Sequence, residues 1–232
     1  MRRLVSGCSV AAGLALCVAI AAPASANPAA VDLVFYAPFL KQVENGSELS
    51  YRYVRKADGK DLAPSFEDEV KLTVGPKGAE DSVKIDLFTG ARGLSLPNMA
   101  RSGNPLVVAL FEQDVREMQK VSGGSPFYLR NRIMEALRND PATEPTKIQY
   151  DGRTIDAWTV KFEPFAKDQH RAQLKGFADR AYELTFADDV PGGLYAIKSV
   201  TPKQDGAGPL LVEELILQPT KTAAKPMEGA KQ

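Results

Sequence analysis

The chain has 232 residues, with 29 basic and 29 acidic side chains and one histidine, so its formal net charge is zero at pH 7. Without an excess of basic residues it lacks the field that attracts phosphate backbones, and nucleic acid is not a predicted partner. The hydrophobic content of 44% is sufficient for a globular core.

The first 26 residues predict a secretory signal peptide. Arg2 and Arg3 form a short basic region, residues 10–22 are an apolar run, and Ala24-Ser25-Ala26 has the small-x-small pattern that signal peptidases recognise. We therefore predict cleavage after Ala26 and a periplasmic location. The apolar run is shorter than the roughly 20 residues of a membrane-spanning helix, which disfavours a retained anchor. Cys8 precedes this run, whereas a lipidated cysteine would follow it.

Cleavage would change the chemistry of the chain. It removes Cys8 and Cys17, so the mature protein has no disulfide and no thiolate metal site. It also removes two arginines, which leaves 27 basic residues against 29 acidic ones, a net charge near −2. No second apolar run is long enough to span a membrane. We predict one globular domain over 27–219, with a flexible lead through Ala30 and a disordered tail over 220–232.

The first strands are predicted from alternation. Leu49, Tyr51 and Tyr53 alternate with polar residues, which is typical of a half-buried strand. Two further strands are predicted over 69–75 and 82–89, separated by a turn rich in glycine and proline. Together the three strands predict an antiparallel meander.

After these strands, the spacing of apolar residues changes from that of a strand to that of a helix. Asn104-Pro105 predicts a helix start, with an N-cap side chain followed by proline at the first helical position. Residues 122–124, Ser-Gly-Gly, predict the end of this helix, and Ser125-Pro126 predicts the start of a second one. The sequence thus predicts a helical hairpin over about 105–139.

The rest of the chain predicts five more strands. A hairpin is expected at Asp151-Gly152, and residues 166–178 fit either a short helix or an irregular loop. The strands are predicted over 148–150, 154–162, 182–187, 194–200 and 210–218. The predicted fold class is α+β, with a curved, mainly antiparallel, half-barrel-like sheet of about eight strands and an inserted α-helical hairpin.

This order of elements resembles the half-barrel lipoprotein carriers of the bacterial periplasm and their uncharacterised relatives. It is carried by the strand at Leu49–Tyr53, the helix at Val107–Met118 and the late strands. In that family a strongly curved sheet holds helices against its concave face, and an acyl chain binds between the two layers. The resemblance covers about 48–218 and contains no diagnostic motif, so it implies an architecture and a ligand class without assigning residues.

The residue types that carry catalysis or bind metals are few. In a Ser-His-Asp triad, His170 would have to be the base and Asp168 the residue that orients it. No nucleophile-elbow motif is present in the sequence. Both residues are predicted to lie in a solvated loop. The acidic runs Glu67-Asp68-Glu69 and Asp188-Asp189 lack calcium-loop spacing and predict solvated strand ends. Residues 122–125 could offer backbone N–H groups to an anion, but helix caps explain them better. We predict no catalytic residue, no metal and no cofactor.

The helical hairpin has a basic bias over 116–138, which fits an anionic head group, while its apolar faces fit an acyl chain. Ordinary solvated and core positions are the alternative interpretation. The predicted ligand-binding residues are Val115, Met118, Tyr128, Arg130, Arg132, Ile133, Trp158 and Phe165.

Three functions are compatible with the sequence. The favoured one is non-enzymatic binding of an apolar or amphiphilic envelope ligand, a lipid or acyl chain, between sheet and helices. The second is a protein–protein module of an envelope assembly, and the third is a hydrolase of an envelope polymer that uses two distant carboxylates.

Overall fold

The computed structural model describes residues 27–139 and 141–219. The predicted signal peptide and the predicted disordered tail lie outside the described residues. The α-helices are α1 (Pro105–Ser122) and α2 (Pro126–Arg138). The strands are β1 (Glu48–Ala57), β2 (Phe66–Val74), β3 (Ser82–Leu87), β4 (Leu94–Ala100), β5 (Thr143–Tyr150), β6 (Arg153–Phe162), β7 (Ala181–Phe186), β8 (Leu194–Pro202) and β9 (Pro209–Leu217).

The strands of the described residues form one open, curved antiparallel sheet in the order β4-β3-β2-β1-β9-β8-β7-β6-β5. Neighbours in sequence pair as meanders, and β1 pairs with β9 to join the two meanders. The predicted α+β class, with a curved antiparallel sheet and an inserted helical hairpin, is confirmed.

Helix α1 lies against the concave face of this sheet. The ring of Phe111 meets Phe162 on β6 and Tyr182 on β7 edge-on, with centroids 6.2 and 5.4 Å apart. One turn and a half further along the helix, Glu117 accepts a hydrogen bond from Arg55 on β1. Since three strands separate β1 from β6, helix α1 crosses the middle of the sheet.

The helix boundaries follow the predicted signals, with one difference. The Asn104 side chain accepts from the N–H of Val107 at 3.3 Å, and Gly123 ends α1 in the left-handed conformation at φ 74°. Ser125 stands at the N-cap position of α2, but its side chain makes no capping hydrogen bond. Instead, the Ser122 hydroxyl accepts from the N–H of Gly124 at 3.1 Å.

Strand β4 was not predicted, so the sheet has nine strands in the described residues where the sequence predicted about eight. Pro97 interrupts the alternation of Leu94–Ala100, and Asn98 has a positive φ of 56°. Both features are tolerated because β4 is an edge strand, whose outer side needs no ladder hydrogen bonds.

Two segments outside the α-helices and strands are also defined by the structure, one against the prediction and one where the prediction was open. The predicted flexible lead is wrong at Ala30, which is fully buried, and Leu33 and Val34 follow it into the core. The N–H of Asn104 donates to the carbonyl of Val34 at 2.8 Å, which ties this segment to the start of α1. Residues 166–178, predicted as either a short helix or an irregular loop, contain 3₁₀ turns at Arg171–Asp179.

Candidate functional site

Four of the predicted ligand-binding residues are packed in the core. Each of these side chains has at most 1% of its surface exposed, so none presents a free face to a ligand in this conformation: Val115, Met118, Ile133 and Phe165. Trp158 on β6 is partly buried and packs against the same core.

The two predicted arginines are already paired. Arg130 makes a two-pronged bond to Glu112 on α1, with its second contact at 2.6 Å. Arg132 donates to Asp168 at 2.8 Å and to Glu135 at 2.6 Å. An anionic head group would therefore have to compete with a carboxylate of the protein for either guanidinium.

Asp168 is a buried junction, which corrects the predicted solvated loop. Its side chain accepts from the Tyr128 hydroxyl at 2.7 Å, from Arg132, and from the backbone N–H of His170 at 2.7 Å. The His170 ring meets the Tyr128 ring edge-on, 5.6 Å between centroids. The structure thus brings Tyr128 and Arg132 together, but around a carboxylate of the protein itself.

Sequence reasoning missed the most unusual feature of the core, the buried guanidinium of Arg180. Its side chain is completely buried at the start of β7. The guanidinium donates to side chains on α1, β7, β8 and β9: Asp114 (2.8 Å), Tyr182 (3.1 Å), Thr201 (2.8 Å), Ser199 (2.8 Å) and Glu213. A buried charge is tolerated only with this degree of compensation.

A second buried arginine extends the network to β1. Arg55 donates to Glu213 at 2.5 Å and to Glu117 at 2.6 Å. The Tyr53 hydroxyl also donates to Glu213, at 2.6 Å. Glu213 therefore bridges both arginines. We call Arg55, Asp114, Glu117, Arg180 and Glu213 the buried charge cluster.

The buried charge cluster carries two guanidinium groups and three carboxylates, a formal charge of −1 when all are ionised. Burial raises the pKa of Asp114 to about 6, with Arg180 opposing the rise and Glu213 adding to it. Burial acts in the same direction on Glu213, but Arg180 and Arg55 outweigh it and hold that pKa below its usual value.

A small cavity of about 30 Å³ lies between α1 and the sheet, next to this cluster. Its apolar wall is formed by Leu110 and Phe111 of α1 and by Ile197 and Leu215 of the sheet. The remaining lining is mostly polar: Tyr53, Gln113, Asp114, Tyr182, Ser199, Glu213 and Glu214. The volume suits about one water molecule. The structure thus places an apolar wall and a charged end on one gap between helix and sheet.

Two larger grooves flank the Asp168 junction on the surface. One of about 320 Å³ is lined by the interhelical turn, Tyr128 and His170. The other, of about 300 Å³, is lined by Arg132, Glu135 and residues that follow β6. Tyr128 and Arg132 are therefore the predicted site residues that reach a groove.

The acidic run at Glu67-Asp68-Glu69 is occupied by basic and hydroxyl partners. Glu67 bonds Arg52 at 2.5 Å, and Asp68 bonds Arg92 at 2.8 Å. Within 27–139 and 141–219, no group of three or more histidine, cysteine or acidic side chains has a geometry suited to a metal ion. Nor does any helix in these ranges have the length and apolar character to cross a membrane.

The raised pKa of Asp114 predicts a pH dependence of stability. The folded protein binds a proton here that the unfolded chain, with an ordinary aspartate pKa, has already released. The contribution of Asp114 to the free energy of unfolding is therefore expected to fall by about 2 kcal/mol as pH rises from about 4 to about 6, and then to level off. Carboxylates whose pKa is lowered, such as Glu213, contribute in the opposite direction, so the effect of Asp114 is measured as a difference between variants. The groups facing Asp114 are Arg180 and Tyr182 from β7 and Glu213 from β9.

Urea unfolding followed by circular dichroism at several pH values measures this slope. The variant Asp114→Asn is expected to lack this contribution, so the free energies of unfolding of the unmodified protein and the variant should converge or diverge by about 2 kcal/mol between about pH 4 and about pH 6, whatever their difference at one pH. Asp156→Asn, at an exposed position on β6, is the control and should keep the slope of the unmodified protein. An identical slope in Asp114→Asn would contradict the assignment.

Comparison with known proteins finds a likeness of structure and none of sequence. No protein-family model and no curated protein matches the chain. Among solved structures, the Mycobacterium tuberculosis lipoprotein LppX aligns with 78% of this chain and 87% of its own, at 11% identity and a TM-score of 0.33. This is a weak likeness of overall architecture. The resemblance stated from the order of elements was of the same kind.

Proposed function

We propose that the protein is an exported, non-enzymatic carrier of an apolar or amphiphilic envelope molecule, a lipid or acyl chain, held between the curved sheet and the helices. The observation that carries this proposal is the gap beside α1. Leu110 and Phe111 face Ile197 and Leu215 across it, and Asp114 and Glu213 lie at its charged end. An apolar wall with a few polar groups at one end is the usual form of a site for an amphiphile.

The gap must widen to admit a chain, because its resting volume of about 30 Å³ holds roughly one water molecule. An open sheet supports such widening, since it is not closed into a rigid barrel. The contacts of α1 with the buried arginines lie at Asp114 and Glu117. We infer that these ion pairs hold the middle of the helix in place while the apolar side chains of the gap move apart.

Native mass spectrometry with organic extraction tests the proposal on protein purified from a bacterial periplasm. We expect a co-purifying amphiphile at near one-to-one ratio, and a polypeptide mass that corresponds to cleavage after Ala26. Leu110→Phe fills the gap and is expected to reduce the bound fraction about tenfold, which corresponds to about 1.4 kcal/mol of binding. Its effect on stability should be smaller than that of core truncations.

Leu94→Phe is the matched control, because it makes the same substitution at an exposed position of the edge strand β4. It should carry the same amount of ligand as the unmodified protein. If the unmodified protein shows only the mass of the polypeptide, with no bound species, the carrier function is contradicted.

A further inference from the structure

The guanidinium donors beside the gap are already engaged. Every nitrogen of the Arg180 guanidinium donates to a side-chain oxygen on α1, β7, β8 or β9. Arg55 does the same through Glu213, Glu117 and the backbone carbonyl of Ala63. An anionic group entering the gap would have to displace carboxylates of the protein to reach either arginine.

The phenol groups that line the gap are committed in the same way. Tyr53 donates its hydroxyl proton to Glu213 at 2.6 Å, and Tyr182 donates to Asp114. Apart from the half-buried Gln113, whose amide offers both a donor and an acceptor, the polar side chains of the lining therefore present acceptors.

One acceptor has capacity to spare. Asp114 Oδ1 is buried and accepts no hydrogen bond from any residue in the described part of the chain. Arg180 Nη2 lies 2.7 Å from it as an ion pair, but that nitrogen donates to Ser199 and Glu213 instead. The residue is only 8% exposed and lines the gap. The ion pair compensates the charge of this oxygen, but its hydrogen-bonding capacity is unused, so a donor placed beside it is favoured.

From this arrangement we infer that the ligand's head group is a hydrogen-bond donor, a hydroxyl or an amine, which bonds Asp114 Oδ1, and that phosphate or carboxylate head groups are rejected. This inference rests on the proposed carrier function. It follows from two facts about the buried charge cluster: its carboxylates outnumber its guanidinium groups, and its free hydrogen-bonding capacity is that of an acceptor.

Three amphiphiles with the same oleoyl chain test the head group: 1-oleoylglycerol, oleate and 1-oleoyl lysophosphatidate. Each is titrated into delipidated protein near pH 7, below its critical micelle concentration, and bound protein is counted by native mass spectrometry. We expect 1-oleoylglycerol to bind at least about tenfold more tightly than either anion, the effect of one hydrogen bond to a charged acceptor.

Asp114→Asn removes the charge and is expected to narrow this preference to about threefold or less, by weakening the bond and relieving the repulsion of anions. The control Asp156→Asn alters an exposed carboxylate and should keep the full preference. Equal binding of the three amphiphiles, or tighter binding of an anion, would overturn the head-group inference and leave the carrier function standing. If none of the three binds, both are overturned. The comparison within the unmodified protein decides these outcomes even if Asp114→Asn does not fold.

Discussion

Replacing Arg180 by methionine is expected to lower the free energy of unfolding by about 4 kcal/mol, measured by urea unfolding near pH 7. The substitution keeps much of the side-chain volume but removes the charge that compensates Asp114 and Glu213. It also leaves the buried hydroxyl groups of Ser199 and Thr201 without their guanidinium partner. Uncompensated buried charge is among the most destabilising changes that one substitution can make.

Arg130→Met is the matched control, since it removes an arginine from a two-pronged pair with Glu112 on the protein surface. Its expected loss is about 1 kcal/mol or less. The double variant Asp114→Asn with Arg180→Met should recover part of the stability lost on replacing Arg180, because one uncompensated carboxylate is then absent. A loss in Arg180→Met no larger than that of the control would contradict the role assigned to the buried charge cluster.

Gly103→Ala is expected to destabilise the protein by about 3 kcal/mol or more, from steric overlap added to backbone strain. Gly103 has a φ of 59°, and a Cβ placed there would lie 2.6 Å from the carbonyl carbon of Phe35. Backbone atoms cannot move aside as a side chain can. The substitution should therefore push the 30–36 segment away from the start of α1 and break the bond between Asn104 and Val34.

Gly206→Ala separates the two contributions, because Gly206 has a similar φ of 72° but open space around it. It is expected to cost about 1 kcal/mol from strain alone. Thermal or urea unfolding of both variants checks the difference. If the two losses are equal, the contact between Gly103 and Phe35 contributes nothing.

Most of the fold could be predicted because its signals are local. Alternation at Leu49, Tyr51 and Tyr53 identifies β1, and the Asp151-Gly152 turn identifies the hairpin of β5 and β6. Strand β4 could not be found in this way, since Pro97 and Asn98 erase its alternation and only its pairing with β3 defines it. The burial of Ala30 likewise depends on a distant partner segment, which a short run of small residues does not reveal.

The candidate site was not predictable in the same way, because its charges come from four separate segments of the chain. A partial signal was present. Arg55 continues the inward-facing series of β1, and Glu213 lies at an inward position between Leu211 and Leu215 on β9. A charged residue at an inward position of an apolar strand predicts a buried ion pair, but not its partner. Arg180 directly precedes β7, two residues before the buried Tyr182, so it also continues an inward-facing series without revealing its partners.

The pairing of β1 with β9 has a consequence for how the protein folds. Strand β9 is the last of the described strands to be synthesised, yet it lies at the centre of the sheet, with seven paired positions from Tyr51–Leu217 to Ala57–Leu211. Until β9 is synthesised, β1 and β8 are unpaired edge strands of two separate half-sheets. Strand β9 also carries Glu213, which bonds both buried arginines. We therefore expect slow, all-or-none folding that is completed only after β9 has been synthesised, with pairing of the core arginines with Glu213 among its final events.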